Sequence, residues 1–305
     1  MLRFLGILAL LGLAGLALFW VLTRPERIDP DVLAGLAGDA ARGERIFHLG
    51  GCASCHAAPE AEGEARLVLA GGRRLASPFG TFVAPNISSD PEHGIGGWTA
   101  EDLVNAMQFG TSPEGTHFYP AFPYTSYRRM DLGDIVDLHA YLGTLPPDAT
   151  PSVGHDLPFP FTIRRGLGLW KRLHLKDGPV LPPESLSAEA QAGQVLVEGG
   201  GHCGECHTPR GLTGGLALGN WLAGAANPSG EGRIPDITPG PDGIGDWSVA
   251  DIAGYLTTGF TPEFDSVGGE MVEVVKNMAA LPEADVQAIA AYLAEVPASG
   301  GASAD

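Results

Sequence analysis

All four cysteines of this 305-residue chain fall in one pattern written twice: Cys52-Ala53-Ser54-Cys55-His56 and, 151 residues later, Cys203-Gly204-Glu205-Cys206-His207. A Cys-x-x-Cys pair alone is ambiguous. It can serve zinc, which wants about four ligands in a tetrahedron, or dithiol redox chemistry, which belongs in a βαβ context. Two pairs could share one zinc ion, but the histidine directly after each pair would then have no role, and the flanking sequence carries no βαβ pattern. Covalent haem uses every position. Two thiols three residues apart on one helical turn can each form a thioether to a haem vinyl group, and the next residue presents its imidazole to the iron. The spacing predicts two covalently bound haem c groups, attached through Cys52, Cys55, Cys203 and Cys206, with His56 and His207 as proximal iron ligands.

The elements that position these motifs are also repeated. Gly94-Ile95-Gly96-Gly97-Trp98 recurs as Gly243-Ile244-Gly245-Asp246-Trp247. Each Trp leads into an expected helix, Thr99 to Phe109 and Ser248 to Thr258, opened by Thr99-x-x-Asp102 and Ser248-x-x-Asp251 in the manner of a capping box and closed by Gly110 and Gly259. Pro113-Glu114 and Pro262-Glu263 follow. A last amphipathic helix is expected at Gly133–Leu145 and at Glu283–Val296, sharing Ala-Tyr-Leu at 140–142 and 291–293. A helix also precedes each cysteine motif, Ala40–Leu49 with Gly43 and Phe47, and Ala188–Val197 with Gly193 and Val197. Matched landmarks in one order point to duplication of a unit of roughly 100 residues. There is little β-alternation, so both units read as mainly α with long loops.

Composition agrees. Lys plus Arg is 18 and Asp plus Glu is 36, a formal charge of −18, which argues against a nucleic-acid binder. A hydrophobic fraction of 44% argues against wholesale disorder. The 44 glycines and 25 prolines describe a loop-rich chain whose interior is completed by something besides side chains, as a flat apolar macrocycle would do. Phe4 to Leu22 is an uncharged run of 19 residues. At ~1.5 Å per residue it spans ~28 Å, close to a bilayer's hydrocarbon core. A cleaved signal peptide has a shorter apolar core and a small-x-small site, whereas this run ends in Thr23-Arg24-Pro25-Glu26-Arg27. An uncleaved anchor is expected, with Trp20 at the interface. Arg3 before the run and Arg24 and Arg27 after it give little charge asymmetry. Pro146 to Pro183 holds eight prolines, yet Phe159, Phe161, Leu167, Leu169 and Trp170 make it too apolar for a floppy linker. It is expected to pack across both units.

Each unit resembles a class I cytochrome c domain: an initial helix, Cys-x-x-Cys-His, a Met-bearing loop and a terminal helix. The wider pattern is similar to the membrane-bound multihaem cytochrome c subunits of quinoprotein alcohol dehydrogenases and flavoprotein gluconate-type dehydrogenases. The matching stretches are Ala84-Pro85-Asn86-Ile87-Ser88, the Gly-Ile-Gly-x-Trp segment at 94–98, Tyr119-Pro120-Ala121-Phe122-Pro123-Tyr124, Phe159-Pro160-Phe161 and Pro262-Glu263-Phe264. The similarity covers about residues 38–297. Those subunits carry three haems, whereas this chain has two motifs. The expected fold is all-α: two tandem class I cytochrome c domains with long loops behind one transmembrane helix. The map is an anchor at 1–23, a tether at 24–37, domains at 38–147 and 186–298, a Pro-rich segment at 148–185 and a disordered tail at 299–305.

For the sixth iron ligand, Met107 sits inside an expected helix, so Met130 is the candidate in the first unit. In the second unit Met271, approached through Ser266-Val267-Gly268-Gly269-Glu270 and favoured by the resemblance, competes with Met278. The registers disagree, because Phe122 stands where the repeat would place a counterpart of Met271. His117 and His139 are the nitrogen alternatives, and a His/His iron would have a lower potential than His/Met. Arg73 and Arg74 are candidates to pair with haem propionates. Irons with both axial positions filled pass electrons but bind no substrate, so a one-electron relay is expected rather than an enzyme. A dihaem peroxidase or a thiosulfate dehydrogenase is the alternative. The resemblance implies a periplasmic or membrane-bound dehydrogenase as donor, and a quinone, soluble cytochrome or terminal oxidase as acceptor. It implies a bacterial inner-membrane anchor in the bilayer, with the globular part in the periplasm, where thioethers are made. The acidic balance implies a partner with a basic docking surface.

Overall fold

A computed structural model describes residues 1–227, 230 and 232–299. The expected disordered tail, apart from Ser299, lies outside the described residues. The chain opens with helix α1, Leu2–Leu22. Among the described residues, its stretch Arg3–Leu22 is the one helix long and apolar enough to cross a membrane, and none of that stretch is buried in the protein. Thr23 ends it, its Oγ1 donating to the Phe19 carbonyl at 2.7 Å.

The first half contains α2 (Ala40–Leu49), α3 (Cys52–His56), α4 (Ala100–Phe109), α5 (Tyr124–Tyr127) and α6 (Leu132–Leu142). Helix α7, Leu167–His174, belongs to the connecting segment. The second half contains α8 (Ala188–Val195), α9 (Gly204–His207), α10 (Val249–Thr258), α11 (Met271–Met278) and α12 (Glu283–Glu295). Both capping boxes form, and Gly110 and Gly259 close α4 and α10 with φ of 58° and 75°, a left-handed conformation that costs glycine little.

Two features depart from the sequence reading. The all-α expectation is amended by two short antiparallel ribbons. Strand β1, Arg74–Ser77, pairs with β2, Gly80–Val83, and β3, Ala225–Ala226, pairs with β4, Arg233–Ile234. Neither announces itself in the pattern, because strands of two to four residues are too short for alternation to register. The second feature is that the helix expected to reach Val197 gives way to a π-helical turn, Leu196–Gly200, kinked at Gly199.

The core forms around two helix crossings, α2 on α6 and α8 on α12. Each hinges on a glycine. A Cβ on Gly43 would stand 2.0 Å from the Asp137 carbonyl oxygen and 2.8 Å from Tyr141 Cβ. On Gly193 it would stand 1.8 Å from the Ala288 oxygen and 2.9 Å from Tyr292 Cβ. The missing side chain lets the backbones touch. Ile46, Phe47, Leu69, Val104 and Ile135 fill one buried cluster. Val197, Leu222, Ile252, Ile289 and Tyr292 fill the other, which Leu49 enters from the first half.

The connecting segment does reach both halves. Lys171 Nζ donates to the carbonyls of Phe109 and Gly110, and Trp170 Nε1 donates to that of Thr213. Its apolar side chains, however, are not all buried: Phe159, Phe161 and Leu169 remain exposed.

Gly193→Ala and Gly43→Ala are expected to destabilise the protein by about 1–3 kcal/mol each, because a methyl must push two helices apart. Gly254→Ala on α10, with nothing within 4 Å of the new Cβ, is expected to be neutral or stabilising by up to about 1 kcal/mol. Thermal unfolding midpoints of the three variants test this contrast.

Candidate haem sites

Each Cys-x-x-Cys-His motif forms a single helical turn, α3 or α9, placed directly behind α2 or the π-helical turn. In α3 the imidazole Nδ1 of His56 lies 2.9 Å from the carbonyl oxygen of Pro85. In α9 the Nδ1 of His207 lies 2.8 Å from that of Pro235. A carbonyl only accepts, so Nδ1 carries the proton in both rings, and Nε2 is left with a free lone pair. Desolvation lowers the pKa of both histidines, which favours the neutral ring a metal needs. This is the arrangement by which a second partner orients a ligating imidazole.

The carbonyls are delivered by a second repeat. Leu69-Ala70-Gly71 recurs as Leu222-Ala223-Gly224, and Ala84-Pro85-Asn86-Ile87 as Ile234-Pro235-Asp236-Ile237. Gly71 N donates to the His56 carbonyl and Gly224 N to that of His207, both at 2.7 Å. Ile87 N returns to the Leu69 carbonyl, and Ile237 N to that of Leu222. The Gly-Ile-Gly-x-Trp stretch then closes each loop. Ile95 N donates to the Ser88 carbonyl and Ile244 N to that of Thr238. A Cβ on Gly94 or Gly243 would fall 2.2 Å from the same oxygens. The sequence reading missed Pro85 and Pro235 as histidine partners, and it missed Gly71 and Gly224. The Leu-Ala-Gly and Pro-Asx-Ile repeats were the signals that could have found them.

The four cysteines are unpaired thiols. Cys52 and Cys203 are half-buried, and burial pushes their thiols up to about 12. Cys55 and Cys206 are exposed. Desolvation raises both; Arg73 partly offsets it at Cys55, and Glu205 adds to it at Cys206. With two thiols on one turn and an oriented imidazole beside them, each half has the donor set for thioether-bound haem. Cys52, Cys55 and His56 would hold one group, and Cys203, Cys206 and His207 the other.

The halves dock crosswise at these motifs. Glu205, inside the second motif, accepts from Thr125 Oγ1 at 2.6 Å and Ser126 Oγ at 2.9 Å on α5, and from Arg210 Nη2 at 2.6 Å. Ser54, inside the first motif, accepts through Oγ from Asn277 Nδ2 on α11 at 2.9 Å. Its carbonyl accepts from Arg73 Nη1, and Arg73 Nη2 reaches Glu270 at 2.6 Å. His202 Nε2 donates to the Gly50 carbonyl at 3.2 Å, and its ring meets Tyr127 edge-on. Behind this contact lies a buried carboxylate, which Arg129 of the first half approaches to 4.0 Å. Glu198, 1% exposed, accepts from Val180 N, Leu181 N, Gln194 Nε2 and Tyr292 Oη.

The remaining candidates are placed as follows. Met271 begins α11, half-buried, beside the Arg73–Glu270 pair. Met278, also on α11, is buried in the second core. Met130 is buried in the cluster that includes Cys52, Ala53 and Ala57. A Cβ added at Gly199 or Gly200 would touch the Met130 side chain, at 3.3 and 3.7 Å. Phe122 stacks edge-on with Phe118 and Tyr127. His117 Nε2 and His139 Nε2 bond the Thr23 and Trp98 carbonyls. Arg73 is engaged across the interface, while Arg74 faces Asp156 at 3.7 Å in solvent.

A cytochrome c family model matches residues 40–146. The chain is 58% identical over 292 residues to "Diheme cytochrome c-type" of Cereibacter sphaeroides, covering 95% of this chain and 97% of that protein. It is 36% identical to the fructose dehydrogenase cytochrome subunit of Gluconobacter japonicus, over 90% of this chain and 56% of that one. It is 35% identical to the cytochrome c subunit of the quinone alcohol dehydrogenase of Gluconobacter oxydans, over 84% of this chain and 54% of that one. The chain thus spans about half the length of these two dehydrogenase subunits.

Thr125→Ala and Ser126→Ala are each expected to cost about 1 kcal/mol, and Glu205→Ala about 2–3 kcal/mol, since its carboxylate takes charged hydrogen bonds. In a double-mutant cycle, Thr125→Ala is expected to cost measurably less once Glu205 is already Ala. Denaturant midpoints of the four proteins check the coupling.

Proposed function

The chain belongs to the c-type cytochromes, and from that premise we propose that it holds two covalently bound haem c groups and relays electrons from a dehydrogenase to a respiratory acceptor at the periplasmic face of the bacterial inner membrane. It is an electron-transfer protein, not a catalyst. Bound haem supplies reversible one-electron chemistry at iron. The observation that carries the count of two is the second His–Pro pair, whose construction around His207 matches that around His56. The same correspondence supports two tandem cytochrome c domains over 38–147 and 186–298.

The chain's own residues account for the rest. The Pro85 and Pro235 carbonyls hold each imidazole in one tautomer, so no rotation is needed when charge changes at the metal. The crosswise contacts through Ser54, Glu205 and His202 bring the two motifs close together. That proximity suits transfer between two centres within one chain. Similarity to dehydrogenase cytochrome subunits supports a dehydrogenase donor. Quinone, a soluble cytochrome and a terminal oxidase are the candidate acceptors. α1 supplies the anchor. Thioether attachment outside the cytoplasm supports the periplasmic orientation.

His56 and His207 are proposed as proximal ligands, Met271 as the sixth ligand in the second half and Met130 in the first. Met271 is supported by its position at the Arg73–Glu270 clamp. Met130 is supported by burial in one cluster with the residues of α3.

Alkaline pyridine spectra are expected to give two haem c per chain, and one would overturn the proposal. In the oxidised protein, Met271→Ala and Met130→Ala are each expected to remove about half of the near-infrared Met–iron charge-transfer band and to lower one midpoint potential, since loss of the thioether destabilises reduced iron. An unchanged band in Met130→Ala would exclude that residue as ligand.

A further inference from the structure

The segment between the halves has an unpartnered surface at the point where α1 leaves the protein. From Leu157 to Lys176 there is no acidic residue, although the chain has 36, and there are five cations: Arg164, Arg165, Lys171, Arg172 and Lys176. Five large apolar side chains of the same stretch are exposed: Phe159 at 79%, Phe161 at 41%, Ile163 at 51%, Leu169 at 41% and Leu173 at 61%. Arg165, Leu169, Arg172 and Leu173 follow the spacing of a single helical face. The adjoining face of α7, carrying Gly168 and Lys171, is buried in the protein.

This surface is fixed to the end of α1. Arg165 Nη2 donates to the Trp20 carbonyl at 2.7 Å and its Nε to Thr23 Oγ1 at 2.9 Å, and its guanidinium lies 4.1 Å from the Trp20 ring centroid. Arg172 Nε donates to the Leu22 carbonyl at 2.6 Å. A Cβ on Gly168 would meet Thr23 Cα at 2.6 Å, so α7 is seated directly on the helix exit. Tyr119 Oη anchors the Phe161 carbonyl at 2.7 Å. A tryptophan in the last turn of a membrane helix sits at headgroup level, so everything bound to Trp20 and Leu22 lies there too. Interleaved apolar and arginine side chains at that level match a layer of acyl chains beneath anionic phosphates.

We propose that residues 159–173 form a second membrane contact, lying flat on the outer leaflet with the five exposed apolar side chains entering the headgroup region and Arg165 and Arg172 meeting lipid phosphate. The proposal rests on the reading of α1 as a bilayer anchor. It makes the anchor a rigid mount, which holds the two haem motifs at one height and one orientation above the membrane.

Spin labels test it in the full haem-loaded chain, whose four native cysteines are tied up as thioethers, so an added cysteine reacts alone. Phe159→Cys, Leu173→Cys, Leu13→Cys and Leu212→Cys are labelled singly in vesicles of phosphatidylethanolamine and phosphatidylglycerol. Collision rates with oxygen and with a water-soluble nickel chelate are read against a nitrogen baseline. The expected result is lipid-like oxygen preference at 13, 159 and 173, and water-like nickel access at 212, a fully exposed position outside residues 159–173. Lipid-like behaviour at 13 with water-like behaviour at 159 and 173 overturns the second contact and leaves the anchor standing. Shielding of 159 and 173 from both reagents would assign the surface to protein and also overturn it. Water-like behaviour at 13 removes the anchor itself and the proposal with it.

Discussion

The hydrogen bond from an imidazole Nδ1 to a proline carbonyl is the constraint around which each half is arranged. A histidine following two cysteines on one turn has two ring nitrogens and free rotation. Only a fixed acceptor decides which nitrogen is offered to a metal. Pro85 and Pro235 provide it, and a proline supplies that carbonyl from a backbone whose φ is already set. The loop carrying the proline must return to within hydrogen-bond distance of the turn. That return explains the positive-φ glycines at 71 and 224, the short ladders from Leu69 to Ile87 and Leu222 to Ile237, and the close backbone packing at Gly94 and Gly243.

The two helix crossings carry this loop system and set its distance from the motifs. α2 leads directly into one cysteine turn and α8 into the other through the π-helical turn, and α6 and α12 press on α2 and α8 where Gly43 and Gly193 permit contact. The halves then lock through the motifs themselves. Residues between the two cysteines, Ser54 and Glu205, are the ones that reach across, so each turn proposed to tether a haem is also a docking surface for the other half. Electron transfer between two centres depends on fixed separation. With the two proposed haems in place, that separation would be set by the same hydrogen bonds that hold the halves together.

At the membrane end the connecting segment acts as a bracket. Gly168 and Lys171 face inward, Arg165 and Arg172 cap the last carbonyls of α1, and the apolar side chains are turned outward. Cations at a helix C-terminus also complement its dipole. An overall charge of −18 coexists with this local basic surface at the end of α1.

Much was written locally and was legible without coordinates. The Cys-x-x-Cys-His turns, the capping boxes at Thr99 and Ser248, the terminating glycines and the uncharged run of α1 each depend on neighbours within a few residues, so chain order alone reports them. What tertiary structure decided was everything joining distant segments. It decided which carbonyl faces each imidazole, that Glu205 and Ser54 bridge the halves, that Glu198 is a buried hub, and that Phe159, Phe161 and Leu169 point outward although their composition suggested a core. Apolarity signals removal from water without saying whether protein or lipid does the covering. Hydrogen bonds between residues 29 or 80 positions apart leave no periodic trace, because the partner is chosen by how the chain folds back and not by what lies beside it in sequence.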